Sequence, residues 1–274
     1  MEGELRAAWA IAKKDLRQLS RYRISIVAMI FTPLYQGVIP AFLFGVSFAV
    51  GGRVIGLEST IGTDNLAGFI FLGGVISGLV ATAFWMMAMS LRNEMDMGTL
   101  EPSWLTPTRR DTFLIGRALG GIVVFLLSQV ALFAIGIAFF GLHFSAAAAY
   151  AIPAVLVSVA AMVGVAYLVA AAVLLLKDAN LFVDTTNFLF ATASGAAFPI
   201  TLLPGAFQAV ALLLPTTYAL DILRYHAIGA RPLFDPTLEH LALVASSLLI
   251  VPLGRRVFAA AEHRMRVQGT LAQH

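Results

Sequence analysis

Cysteine is absent from this 274-residue chain, which excludes a disulfide framework, a thiolate metal site and a cysteine nucleophile. Charge is scarce as well, at 12% of residues against 59% hydrophobic ones. A soluble domain hiding that much apolar surface needs more charge on its outside. Lysine occurs only at Lys13, Lys14 and Lys177, preceded by Ala12, Lys13 and Leu176. A phosphate-cradling loop needs Gly-Lys followed by Ser or Thr, so a nucleotide site of that kind is excluded. The five histidines are scattered, no His-Glu-x-x-His helix occurs, and no serine stands in a Gly-x-Ser-x-Gly elbow. Nothing here equips the chain to act alone as an enzyme.

What the chain has is apolar length. Its mean hydropathy is +0.88, and a membrane crossing takes roughly 20 apolar residues. Apolar runs fall at 24–50, 66–91, 118–142, 146–176, 181–203 and 238–253. They predict an all-α, polytopic membrane protein with six transmembrane helices, forming a domain over 24–254. Pro33 and Pro40 should kink the first run. The Ala- and Gly-rich third and fourth runs should pack inside the bundle, since small residues let helices approach closely in lipid.

Residues 1–23 place Leu5, Trp9, Ala12, Leu16 and Leu19 at alternating steps of four and three, with Arg6, Lys13, Lys14 and Arg17 between them. This predicts a cytoplasmic amphipathic helix, lying in the interface against lipid headgroups or packed on protein. No short apolar core with an Ala-x-Ala-like site stands here, so the segment is expected to stay uncleaved. With six crossings and both termini cytoplasmic, 15 of the 18 lysines and arginines share one side, the bias that marks the cytoplasmic face. The net charge of +3 therefore reports topology, and no nucleic-acid partner is expected.

Between the second and third runs, residues 92–117 carry the one long charged interruption. Inside the runs polar groups are few: Gln36, Gln129, Asp184 and Asn187 either hydrogen-bond between helices or line a substrate path. The segment 199–237 holds Pro199, Pro204 and Pro215, and the stretch 205–214 is too short to cross. It reads as re-entrant or interfacial. Asp221 and Arg224, three apart, are expected to pair with each other or to contact substrate. Residues 255–274 read as a cytoplasmic tail, and no metal site is expected.

The loop sequence Asn93-Glu94-Met95-Asp96-Met97-Gly98-Thr99-Leu100-Glu101, then Thr106-Pro107-Thr108-Arg109-Arg110, resembles the cytoplasmic segment of the ABC transporter type 2 permease family, chiefly its drug- and lipid-exporting branch. The stretch Ser194-Gly195, Phe198-Pro199, Leu203-Pro204, Pro215-Thr216-Thr217-Tyr218, Asp221 and Arg224 is similar to the series preceding the last span in that family. Pro102-Ser103-Trp104 departs from the small apolar residues the family more often carries, so Pro102 is a place where the short helix could end early.

The resemblance implies a permease subunit of an exporter, in the inner or cytoplasmic membrane of a bacterium. Its partners would be two copies of an ATPase subunit, a second permease copy or homologue, and membrane lipid. ATP and Mg would belong to the ATPase, with no cofactor in this chain. The coupling surface it implies is Glu94, Met95, Asp96, Gly98, Thr99, Leu100, Glu101, Trp104, Pro107 and Arg109, with Met95, Met97, Leu100 and Trp104 as apolar anchors. It also implies that Phe198, Pro199, Pro204, Pro215, Tyr218, Asp221 and Arg224 form an extracellular re-entrant region. An amphipathic drug, a lipid or a glycan-like molecule fits the apolar walls. The competing readings are an ion-coupled carrier or channel without an ATPase, and a membrane anchor that transports nothing.

Overall fold

A computed structural model describes residues 2–268 apart from 23, 25, 26, 29, 30, 32, 48, 51, 52, 55, 177 and 178. Its helices are α1 (Glu2–Arg21), α2 (Ile39–Val46), α3 (Leu57–Ile61), α4 (Leu66–Asp96), α5 (Leu100–Trp104), α6 (Arg110–Phe140), α7 (Ile152–Leu175), α8 (Ala179–Ala193), α9 (Gly205–Ala211), α10 (Pro215–Ile228) and α11 (Pro236–Gln268). Among the described residues the only strand pairing joins Ala49–Val50 to Arg53–Val54. The expected all-helical fold is therefore found.

Helices α4, α6, α11 and the stretch Ala146–Leu175 are long and apolar enough to cross a membrane, and α9 with α10 forms a further apolar pair bent by 87°. The first apolar run, 24–50, includes residues outside the described set. Its described part turns from Pro33 through a π-helical Leu34–Val38 into α2. That wide turn stands just before Pro40, whose ring would clash with the carbonyl four residues back in a regular helix. A second π-helical turn, Ala83–Ala88, interrupts α4.

Burial divides the long helices. In the most apolar stretch of each, 67% of α4 and 61% of Ala146–Leu175 are buried, against 28% of α6 and 22% of α11. The fourth apolar run thus packs inside as expected, and the third does not. Leu126, Leu127, Val130, Ile137 and Phe139 of α6 are all exposed, because its glycines form a narrow groove and not a whole small-residue surface. The core is built from Leu72, Ile76, Phe84 and Met87 of α4, Leu114 of α6, Tyr167 of α7 and Phe258 of α11.

Apolar faces gain little by leaving lipid, so these helices associate through close approach. Helices α7 and α11 cross at two glycines, where a Cβ on Gly254 would lie 2.2 Å from the Gly164 carbonyl oxygen. Likewise a Cβ on Gly73 of α4 would lie 1.9 Å from the Ala196 carbonyl oxygen.

Two expected boundaries are corrected. The fifth run, 181–203, is helical only over Ala179–Ala193, 15 residues, short of the roughly 20 a full crossing takes. The chain turns there because Gly195 adopts a left-handed φ of +82° and Pro199 follows. The last helix is longer than its apolar run: α11 continues through Pro252 for 33 residues to Gln268, so residues 255–268 of the expected tail are helical. We predict that Gly254→Ala separates α7 from α11 and costs about 1–3 kcal/mol, seen as a lower Tm of the detergent-solubilised protein. Gly205→Ala, which meets open space, should leave Tm unchanged.

Candidate coupling surface

At the end of α4 the chain reverses in four residues. Gly98 takes φ +66°, a left-handed conformation that a side chain disfavours. Its N–H donates to the Met95 carbonyl at 2.9 Å, and the Thr99 N–H donates to the Glu94 carbonyl at 2.9 Å. Both bonds satisfy carbonyls that a helix end otherwise leaves orphaned. The Thr99 hydroxyl also donates to the Glu94 carboxylate. Helix α5 follows, with Pro102 in its first turn, where a missing N–H costs nothing. Pro102 therefore does not end it early: α5 runs on to Trp104.

Four charges from three elements meet beneath this turn. Arg117 of α6 donates one Nη to Asp15 of α1 at 2.6 Å and the other to Glu94 of α4, while Lys14 donates to the same Glu94 oxygen at 3.3 Å. Arg117 also lies over the Phe113 ring at 5.1 Å. Asp15 and Glu94 are buried. Burial pushes the Asp15 carboxyl above its ordinary value, against the pull of the Arg117 guanidinium and of Lys14.

Helix α1 reaches this cluster because α6 offers glycine where it passes. A Cβ on Gly116 would lie 2.8 Å from the Ala8 carbonyl oxygen, and one on Gly120 would lie 3.7 Å from Cβ of Asp15. The face of α1 that packs on α6 is therefore Ala8, Ala12 and Asp15, all buried. Leu5 and Trp9 of the expected apolar stripe are exposed. Sequence reasoning missed Asp15, Lys14 and Arg117 as members of a site. The available signal was an acid spaced three and seven residues after Ala12 and Ala8, on an otherwise small face.

The expected coupling residues fall into two sets. Asp96, Met97, Gly98, Thr99, Glu101, Pro107 and Arg109 are exposed, Met97 at 68%, and so is Leu105, at 82%, which was not among the expected residues. Glu94, Met95, Leu100 and Trp104 are buried, which corrects their expected role as contacts for another protein. They face inward because Leu100 and Trp104 fill the core beside Met95, and Glu94 is held by its ion partners. Arg92 and Asp96 pair across one turn at 2.9 Å.

At the opposite end, Arg224 of α10 is buried and donates to the carbonyls of Phe69 (3.0 and 3.3 Å), Gly195 (2.8 Å) and Ala196 (3.1 Å). Its guanidinium stacks 3.4 Å from the centre of the Phe69 ring. Among the described residues it makes no ion pair with Asp221, whose carboxylate accepts from the Leu233 N–H at 2.8 Å. The expected local pair is thus replaced by two separate backbone contacts, since the broken chain around Gly195 leaves carbonyls that need donors. The Tyr218 hydroxyl donates to the Leu212 carbonyl at 2.7 Å, and Pro215 opens α10 where no N–H is required. Phe198 and Pro199 are half-buried and Pro204 exposed. A cavity of about 290 Å³ lies here, walled by Phe69, Pro199, Thr217, Asp221, Arg224 and Arg231 among others.

The three candidate pathway residues whose side chains are described, Gln129, Asp184 and Asn187, do not share a hydrogen bond or line a common cavity. Gln129 is buried on α6, its amide nitrogen 3.2 Å from the Ser128 hydroxyl, and the side chain of Gln36 lies outside the described residues. On α8, Asp184 is exposed and Asn187 is half-buried with an unbonded Oδ1. None of the three described ones lines the cavity.

A bundle of long apolar helices, with one charged reversal clasped at its end, defines a multi-pass membrane protein. Residues 6–227 match the ABC-2 type transporter family; the chain belongs to that family, the permease family of ABC type 2 transporters. No curated protein matches it. It is therefore a membrane component of an ABC transporter and a transport subunit rather than a catalyst, in a family whose permeases work with an ABC ATPase subunit.

Removing Arg117 strands the buried Asp15 and leaves Glu94 with Lys14 as its one ion partner. Arg117→Met should lose about 3–5 kcal/mol, measured as thermal unfolding of the purified protein. Adding Asp15→Asn and Glu94→Gln to it should recover most of that loss.

Proposed function

We propose that the chain is the membrane-spanning permease of a bacterial ABC exporter, moving an amphipathic drug, lipid or glycan-like substrate across the cytoplasmic membrane. Two ATPase subunits, which carry the ATP and Mg, drive it from the cytoplasm. The observation that carries this reading is the exposed loop: Met97 and Leu105 stand out in a segment that also exposes Asp96, Glu101 and Arg109. Apolar residues among charged ones suit a groove on a partner. The same loop is anchored by Glu94, so a push on it reaches α1, α4 and α6 together.

Six crossings with both termini inside agree with the 15 basic residues on one side. In that arrangement α8 completes a fifth crossing with the irregular segment behind it, and α9 and α10 enter the outer leaflet and return. Leu5 and Trp9 of α1 face the lipid headgroups. A second copy of the permease, or a homologue, is supported by α8. Asp184 and Thr185 there are exposed beside Phe188 and Leu189, and an acid facing hydrocarbon is expensive. A partner covering this face would remove the cost and leave Asp184 and Asn187 beside the path between the two copies. Closure of the ATPase pair on ATP would then press both loops and bias the bundles between inward- and outward-facing states. The π-helical turn of α4, directly above the clasp, is the place where that helix can flex.

Reconstitution with a candidate ABC ATPase subunit tests the reading. Met97→Asp with Glu101→Lys alters only exposed loop residues. ATPase association and ATP-dependent export should fall together, by about tenfold or more for a lost interface anchor, with Tm unchanged. Export that persists without any ATPase would point instead to an ion-coupled carrier.

A further inference from the structure

The charged loop rejoins the bundle at Arg110 and Asp111, and both residues are tied to the far end of the last helix. Beyond Pro252, α11 buries Gly254, Phe258, Ala261 and Met265, a four-three-four spacing that presents one stripe. Phe258 meets the Tyr167 ring at 5.8 Å. Beside that stripe Glu262 is buried, which is unusual for a carboxylate so near a helix end unless it is paired. It is flanked by two arginines: Arg110 Nε lies 3.1 Å from its Oε1, and Arg266 donates to it at 2.6 Å. The Arg110 Nε hydrogen is not aligned on Glu262, so the first contact is Coulombic attraction rather than a directed hydrogen bond.

Arg110 also grips the loop itself. Its Nη2 donates to the Trp104 carbonyl at 3.4 Å, and its guanidinium lies 6.0 Å from the centre of the Trp104 ring. One turn and more back along α11, Arg255 donates to Asp111, whose carbonyl is 3.5 Å from the Tyr167 hydroxyl of α7. Arg255 and Glu262 are seven apart, two turns along one face of α11. They meet adjacent residues of α6 as a matched pair of opposite sign.

We infer that the cytoplasmic half of α11 is a second strut of the coupling apparatus, with Glu262 and Arg110 as positioning residues that carry displacement of the loop into the last span. This rests on the exporter reading above. The clasp of Glu94, Arg117 and Asp15 holds one side of the loop to α1 and α4, and Glu262 with Arg255 holds the other to α11. Helix α11 continues as one helix through Pro252 and, at 33 residues, spans about 50 Å, so movement at Arg110 is passed along it toward its opposite end. The Gly164–Gly254 crossing passes it to α7. The loop can then shift only by taking helices on both flanks with it.

The test uses the full permease reconstituted with its ATPase, reading ATP hydrolysis and substrate transport separately. Glu262→Gln is close in shape and removes the charge. Complex formation, hydrolysis and Tm should stay near wild type while transport per ATP falls about fivefold, the low end of a coupling free energy between sites. Arg110→Lys, which keeps the charge, should hold the ratio. Because the chain has no cysteine, an Arg110→Cys, Glu262→Cys pair can be cross-linked cleanly, and transport should survive the cross-link if the two residues travel together. An unchanged ratio in Glu262→Gln, or transport abolished by the cross-link and restored by reduction, overturns the strut and leaves the exporter reading intact. Absence of ATPase-dependent transport by the wild-type chain overturns both.

Discussion

The Arg117 guanidinium is shared between Asp15 and Glu94, and the end of the bundle that carries the charged loop depends on it. A planar fork with donors on two sides can serve carboxylates arriving from two different elements, which a lysine point charge does less well. Each acid is buried and would be costly alone, but Arg117 between them and Lys14 on Glu94 supply two cations for two carboxylates. The consequence is mechanical as well as energetic. Helix α1, the end of α4 and the start of α6 are bound at a single point directly under the reversal at Gly98.

A second arginine plays the corresponding part at the other end with different partners. Arg224 meets carbonyls instead of carboxylates, because the chain breaks its helix at Gly195 and leaves backbone acceptors that need donors in the buried interior. Both arginines act on α4, through Glu94 at one end and the Phe69 carbonyl at the other. That helix is the most buried of the long ones, and its one irregularity, the π-helical Ala83–Ala88, falls between the two fixed points. An element held at both ends and pliable in the middle is suited to transmit a bend.

Much of this was legible in advance because it is local. Apolar runs of the right length mark α4, α6, α7 and α11, and Gly98-Thr99 marks a reversal that only glycine makes easily. Pro199 and Pro215 mark breaks where breaks occur. The end of α8 was misplaced by ten residues, since the apolar composition continues past Ala193 and hydropathy does not register a left-handed glycine. The end of α11 was misplaced in the other direction, because amphipathic helix beyond the apolar run reads as polar tail when its packing partner is unseen.

What the amino-acid sequence determined by itself is the class of molecule: helices of membrane-crossing length, a single charged reversal between two of them, and the absence of any nucleotide-binding loop. These follow from composition and short-range periodicity, which act within one element. Only the tertiary structure decided that Glu94 faces inward, that Arg224 ignores Asp221 three residues away, and that α6 is peripheral despite its glycines. Arg117 and Asp15 are 102 residues apart in the chain, and periodicity assigns a face to each helix without saying which neighbour will occupy it. Partner choice between distant charges is settled by the packing of whole helices, and that is where the coupling surface acquires its anchor.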